Sequence, residues 1–220
     1  MRADLHIHSF HSKDNHQTAQ EIFKAAESKG LGAIAITDHN TVVGAMEALR
    51  LAPDGLIVLP GIEITSADGH ILALNVEQDI PRDLSVAETI NRIHAAGGIA
   101  VAAHPYRTWS GLKESVIRKS RFDAVEAING RNTRKNNHRV QNLALELELP
   151  MIAGSDAHRP GNIGAAVTIF ADSVQSRDEM IGAILNKQVL LDGSGRHTKE
   201  TISYGGRSIA KWMRRGMRRL

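Results

Sequence analysis

Asp4-Leu5-His6-Ile7-His8 opens the chain, and the fold is read outward from it. Apolar and polar residues alternate there with the two-residue period of a strand, so Ala3, Leu5 and Ile7 face one way and Asp4, His6 and His8 the other. Two imidazoles then stand about 7 Å apart along one face, each able to offer a neutral nitrogen to the same cation. A His-x-His pair also arises on ordinary strand surface, so its meaning depends on what the other strands bring.

Those strands are legible in turn. Thr18-Ala-Gln-Glu21 has the spacing of a capping box and starts a helix closed by Gly30. Gly32 to His39 is an apolar run typical of a strand buried on both faces, ending in Asp38 and His39. Asn40 or Thr41 can cap a helix through Leu51. Strands follow at Leu56–Leu59, leading into Pro60-Gly61-Ile62-Glu63, and at Ile71–Val76, with His70 at its start. Ser85-Val-Ala-Glu88 is a second capping box, for a helix that stops at Gly97-Gly98, and Ile99–Ala103 runs into His104-Pro105-Tyr106-Arg107. A helix over 111–119 precedes the strand Asp123–Asn129, which leads to Arg131 and Asn132. A helix over 134–148, a strand 150–154 ending in Ser155-Asp156-Ala157-His158-Arg159, a strand 165–171 and a helix capped at Ser176 complete the domain. Alternation of this kind predicts an α/β fold of parallel strands joined by right-handed crossovers.

The ligand-type residues His6, His8, Asp38, His39, Glu63, His104, Asp156 and His158 all fall at or just past predicted strand ends. In parallel architectures those ends gather at one rim, where active sites are built. The chain has 220 residues, 42% of them hydrophobic, and no cysteine. One core-bearing domain is expected, with any metal held by imidazole and carboxylate rather than thiolate. No apolar run reaches membrane-spanning length and no signal pattern opens the chain, so a cytoplasmic location is expected. The net charge of +3 is unevenly spread: residues 207–220 carry six Lys and Arg and no acid. The domain is expected over 1–195 and a basic, helical C-terminal extension over 196–220. That tail reads equally as a helix packing its apolar stripe on the domain or as a contact for nucleic acid or an anionic surface.

Asp4-Leu-His-Ile-His8-Ser9, Ile36-Thr-Asp-His39, Gly61-Ile-Glu63, His104-Pro-Tyr-Arg107 and Gly154-Ser-Asp-Ala-His158 together resemble the polymerase and histidinol phosphatase (PHP) phosphoesterases, in the family's order and across residues 4–158. The resemblance implies a distorted (β/α)7 barrel holding two or three divalent metal ions (Mn, Zn or Fe). It implies His6, His8 and Asp156 at one metal, Glu63 bridging to a second, His104 at that second, and Asp14, His39 and His158 at a third, where many relatives have a histidine instead of Asp14. The chain departs from the pattern at 129–132, where relatives often have histidine or cysteine. An amide oxygen is a poorer ligand for soft metals, so the second site is expected to be weaker or completed by water.

Clustered divalent ions acidify water and neutralise phosphate charge, which predicts hydrolysis of a phosphorylated small molecule or nucleotide. Arg107, Arg131 and Arg159, each shortly beyond a ligand-bearing strand end, are candidate phosphate clamps, with rim salt bridges as the plainer role. Asp38 is a candidate to orient a histidine or accept a proton. His70 is a candidate to protonate a leaving group, or a structural histidine. His11 and His16, in the loop with Asp14, contact substrate or nothing. The competing readings are an exonuclease on nucleic-acid ends, supported by the tail alone, an amidohydrolase, disfavoured for want of a bridging lysine, and a non-catalytic metal-stabilised interaction domain.

Overall fold

The computed structural model describes residues 1–195; the expected basic extension, with its helix and its surface contact, lies outside the described residues. The chain runs β1 (Arg2–Ile7), α1 (Ala19–Ser28), β2 (Ala33–Ile36), α2 (Val43–Leu51), β3 (Ile57–Thr65), β4 (His70–Leu74), α3 (Val86–Ala95), β5 (Ile99–Ala102), α4 (Glu114–Ile117), β6 (Ala124–Asn129), α5 (Arg134–Glu146), β7 (Met151–Gly154), β8 (Ala166–Ile169), α6 (Arg177–Leu185) and β9 (Leu190–Gly193). Thr18 and Ser176 form reciprocal capping boxes with Glu21 and Glu179. At Ser85 only half a box forms: its hydroxyl accepts from Glu88 N, while the Glu88 carboxylate accepts from Arg92 at 2.8 Å. Neither Asn40 nor Thr41 is the cap of α2, which begins after Val42. Asn40 is spent on β3 instead, its Oδ1 accepting from Thr65 N at 2.8 Å. The helix expected over 111–119 is the short α4.

The sheet order is β7-β6-β5-β4-β3-β2-β1-β8-β9. β1, β2 and β3 pair in parallel, as do β5, β6 and β7. The expectation of parallel strands throughout is corrected at β4, which is antiparallel to both β3 and β5, and at β8, antiparallel to β1. Only residues 66–69 separate β3 from β4, and a parallel crossover needs a dozen or more. The turn therefore reverses the chain, and the start of β4, His70, stands at the rim where the parallel strands end. β3 also runs on past Leu59 to Thr65, so Glu63 lies within the strand and bridges to His39 beside it. The segment after β7 returns to β1 through a parallel bridge between Ala157 and Ile7 and a hydrogen bond from His8 N to Ala157 O at 3.0 Å. Strands β1 to β7 thereby close into a barrel.

Two apolar layers follow from the strand period. Ala3, Leu5, Ala35, Leu59, Leu72, Leu74, Val101, Ala124 and Ile152 form one core, with Met180 and Ile184 of α6 against it. Because all seven strands contribute, this is the barrel interior. Ile7, Ile34, Ile62, Val125 and Ala127 pack in a second cluster with Ile22, Ala45, Ile90 and Val140 of the surrounding helices. Leu5 and Ile7 thus lie on opposite sides of the sheet, contrary to simple alternation. The cause is a register shift between Asp4 and Ile7 where β1 meets β2, a bulge that re-aims the strand end. After it His6 and His8 point inward, while Asp4 points out of the barrel, away from the face the sequence alone assigned it. A second shift lies between Glu126 and Ile128 of β6.

Asp4 is fully buried and ties the closure of the barrel together. Its carboxylate accepts from Ser155 N at 2.9 Å, Gly164 N at 2.8 Å and His6 N at 3.3 Å. Burial pushes its pKa up to about 6. Asp4→Ala strands these donors and is expected to cost about 2–4 kcal/mol of stability in urea unfolding. Because the folded pKa is raised, the folded state holds the extra proton between about pH 4 and 6, and ionisation removes stability as pH rises through that window. The loss in Asp4→Ala should therefore be larger at pH 4 than at pH 7. A variant as stable as the wild type would contradict the role.

Candidate metal centre

Above the apolar layer, the same inward-facing positions become polar. His6 and His8 end β1, His39 follows β2, Glu63 and Glu126 lie within β3 and β6, His70 starts β4, and His104 and Asp156 follow β5 and β7. His104 and Asp156 adopt positive φ of 29° and 54°, a strained backbone for residues with side chains, of the kind held in place at functional sites. Gly154 is required beside them: a Cβ there would lie 2.5 Å from His6 Cβ.

The nitrogens and oxygens converge. His6 Nε2 and His8 Nε2 are 3.2 Å apart. Glu63 Oε2 lies 3.3 Å from the first and 3.1 Å from the second. Asp156 Oδ1 lies 3.9 and 3.5 Å from them. Ligands about 2.1 Å from a tetrahedral ion stand about 3.4 Å from one another, so this donor set fits a divalent cation. The other Glu63 oxygen, Oε1, is 2.6 Å from His104 Nε2 and 2.7 Å from His70 Nδ1, while Oε2 also faces His39 Nδ1 at 3.2 Å. A third grouping joins His8, His39 and His158, with Asp14 Oδ2 2.9 Å from His158 Nε2. Asp14 Oδ1 and His39 Nδ1 are buried without a hydrogen-bond partner among the described residues, which a cation could supply. These clusters can coordinate divalent metal ions.

Electrostatics are set by the crowding. Burial and the Arg107 charge push His104 down to about 4, and burial with Arg131 does the same to His158. Burial also holds His39 well below its ordinary value. For His8 burial opposes protonation, but hydrogen bonds to Asp156 and Glu63 outweigh it and raise the pKa to about 9. His6 is likewise raised, burial being outweighed by Glu126, Asp156 and Glu63. Burial alone would raise Glu63 and Asp156, yet the imidazoles around the one and Arg131 and Arg107 beside the other hold both well below the carboxylate range.

The remaining candidates fall differently. Arg107 Nη1 is 2.6 Å from Asp156 Oδ2 and Arg131 Nη1 is 2.8 Å from Asp156 Oδ1; both are partly exposed. Arg159 is exposed and is not brought to these side chains. Asp38 points away from the cage: its oxygens accept from Ser9 N and Ser9 Oγ at 2.6 Å each and from Ser12 Oγ at 2.9 Å. Ser12 Oγ in turn stands 3.0 Å from His8 Nδ1, so Asp38 reaches that histidine through a hydroxyl. His70, read as an acid or a structural histidine, faces Glu63 directly. His11 pairs with Glu47 at 2.6 Å. Asn129 Oδ1 is occupied by Arg107 Nη2, Arg131 N and Asn132 N at 2.5, 2.9 and 3.0 Å, so this amide oxygen is committed elsewhere. Sequence reasoning missed Glu126, whose Oε1 is 2.8 Å from His6 Nδ1; an acid inside an otherwise apolar strand was its signal.

Comparison with known proteins places this geometry. The PHP domain model matches residues 4–144 and a PHP-associated model residues 134–189. An uncharacterized protein of Methanocaldococcus jannaschii is 38% identical over 140 residues, 59% of this chain and 82% of the other. A phosphoribosyl 1,2-cyclic phosphate 1,2-diphosphodiesterase of Eggerthella lenta is 34% identical over 103 residues, 43% of this chain and 39% of the other. In structure, the chain matches a two-domain protein of Bacteroides vulgatus containing a predicted PHP-like metal-dependent phosphoesterase, with a TM-score of 0.74 at 19% identity, covering 88% of this chain and 65% of that one.

Against the opposing effect of burial, the surrounding carboxylates raise His6 above its ordinary value and His8 to about 9, whereas ligation requires both neutral. Binding of Zn²⁺ or Mn²⁺ at pH 7 is therefore expected to release about one proton or more, and affinity should climb as pH rises toward about 9. Calorimetry in buffers of different ionisation enthalpy measures this directly; binding without proton release would contradict the assignment of these two imidazoles.

Proposed function

The chain belongs to the PHP-domain family and has its metal-dependent phosphoesterase fold, and on that premise we propose that it hydrolyses a phosphate ester of a nucleotide or small phosphorylated metabolite using two or three divalent ions, manganese, zinc or iron. Support comes above all from Glu63, whose two oxygens face different imidazole sets: His6, His8 and His39 on one side, His70 and His104 on the other. A carboxylate so placed suits a bridge between two cations. In this reading His6, His8, Glu63 and Asp156 hold the first ion, Glu63, His104 and His70 the second, and Asp14, His39 and His158 the third. Assigning His70 to the second position offsets the loss of a ligand at Asn129.

Bound divalent ions would supply Lewis acidity toward phosphoryl oxygens and acidify water. The chain's own part is to bind and orient. Arg107 and Arg131 reach Asp156 from the partly exposed mouth of the barrel, and their planar guanidinium forks match phosphate oxygens. When Asp156 shares its charge with a cation, that pair is positioned to draw a phosphate group toward the cage. Ser12, anchored by Asp38, accepts from His8 Nδ1 and leaves His8 Nε2 facing inward. The Eggerthella relative is named for a phosphodiester substrate, which agrees with phosphate-ester chemistry. Arg159 is exposed and makes none of these contacts, so it has no part in this reading.

The test is the purified protein loaded with each metal and offered nucleotides, sugar phosphates, histidinol phosphate and oligonucleotides. Phosphate release from a small ester is expected, reduced at least about a hundredfold in His8→Ala and Asp156→Ala. Arg107→Ala is expected to raise KM for that ester by about tenfold, the value of one charge-assisted contact. Oligonucleotide cleavage with no turnover of small esters would overturn the substrate class.

A further inference from the structure

Glu126 is buried at 0% exposure on the interior face of β6, just before that strand's register shift. Three donors surround its two oxygens. Oε1 lies 2.8 Å from His6 Nδ1 and accepts from Asn129 Nδ2 at 2.9 Å. Oε2 accepts from the backbone N–H of His104 at 2.8 Å. His104 turns out of β5 at its positive φ, so its N–H is buried where the β5–β6 ladder no longer serves it, and the carboxylate takes its place. One side chain thus grips the ring of His6 and the backbone of His104, residues assigned to two neighbouring ion positions.

We propose that Glu126 is a positioning residue of the cage: it keeps the His6 proton on Nδ1, so that Nε2 faces inward with its lone pair, and it fixes the turn that aims His104. The proposal rests on the phosphoesterase reading above. Its chemistry is the pairing of a ligating imidazole's far N–H with an acceptor, which sets tautomer and ring orientation. Packing alone would ask only for a side chain of this volume. Tautomer control asks for two acceptor oxygens, and Glu126→Gln separates the two roles. The backbone donor at His104 cannot change, so the substituted side chain directs its carbonyl there and its amide NH₂ toward His6 Nδ1. That face of the ring then becomes the acceptor, and the proton moves to Nε2, inside the cage.

The experiment compares wild type and Glu126→Gln by calorimetric titration with Zn²⁺ and by ¹⁵N spectra of histidine-labelled, zinc-loaded protein. We expect Glu126→Gln to keep a cooperative thermal transition in the metal-free fold, at lower temperature because the buried contact with His6 is broken, while losing about 10- to 100-fold in zinc affinity. In the wild-type spectrum His6 should show a protonated Nδ1 and a metal-bound Nε2. That spectrum decides the matter without the variant should Glu126→Gln fail to fold. Equal zinc affinity in the two proteins, or a His6 bound through Nδ1, would overturn the proposal and leave the functional reading standing. A wild type that binds no divalent ion would overturn both.

Discussion

Five imidazole nitrogens lie within 3.3 Å of the two oxygens of Glu63, in a largely buried region. Such crowding of lone pairs and partial charges has to be balanced, since buried polar groups without partners are costly. In the metal-free chain the carboxylates raise the pKa of His6 and His8, and two guanidinium groups face Asp156. Cations would do the same with a better match of geometry. The surrounding architecture can be understood as what is needed to hold these donors at ligand spacing.

Three features deliver it. The bulge in β1 turns His6 and His8 onto the interior face that Leu5 occupies one layer below. The reversal at residues 66–69 makes β4 antiparallel, so His70 reaches the rim from the start of a strand rather than its end. The bridge from Ala157 to Ile7, braced by Asp4, closes the barrel and sets Asp156 against His8. Each is a departure from regular strand geometry, and each supports a residue of the cage. Departures of this kind concentrate where function overrides local regularity.

Much of this was legible in the sequence because ligand chemistry is written in residue type and strand ends are written in apolar runs. The metal-ligand candidates from His6 to His158, all but the loop residue Asp14 at strand ends in the sequence, come together in the structure, as does the barrel itself. What was not legible depends on register. Simple alternation cannot foresee a bulge, so Asp4 was set on the wrong face. The antiparallel β4 was missed because the strand was read as ending at Leu59; only its run to Thr65 leaves four residues before His70, too few for a parallel crossover. Asp38 and Arg159 sit beside ligands in sequence, yet side chains on successive residues point apart, and neither enters the cage. Glu126 and the pairing of His70 with Glu63 are contacts between distant segments, which no local pattern records.

The central claim is that His6, His8, Glu63 and Asp156 would enclose one cation and that Glu63 would be shared between it and a second. Anomalous diffraction from crystals grown with Mn²⁺ addresses it most directly. The account predicts an anomalous peak bonded to His6 Nε2, His8 Nε2, Glu63 Oε2 and Asp156 Oδ1, with a second peak on the His104 side of Glu63. Manganese bound only elsewhere on the chain, with those four donors still clustered and metal-free, would contradict it.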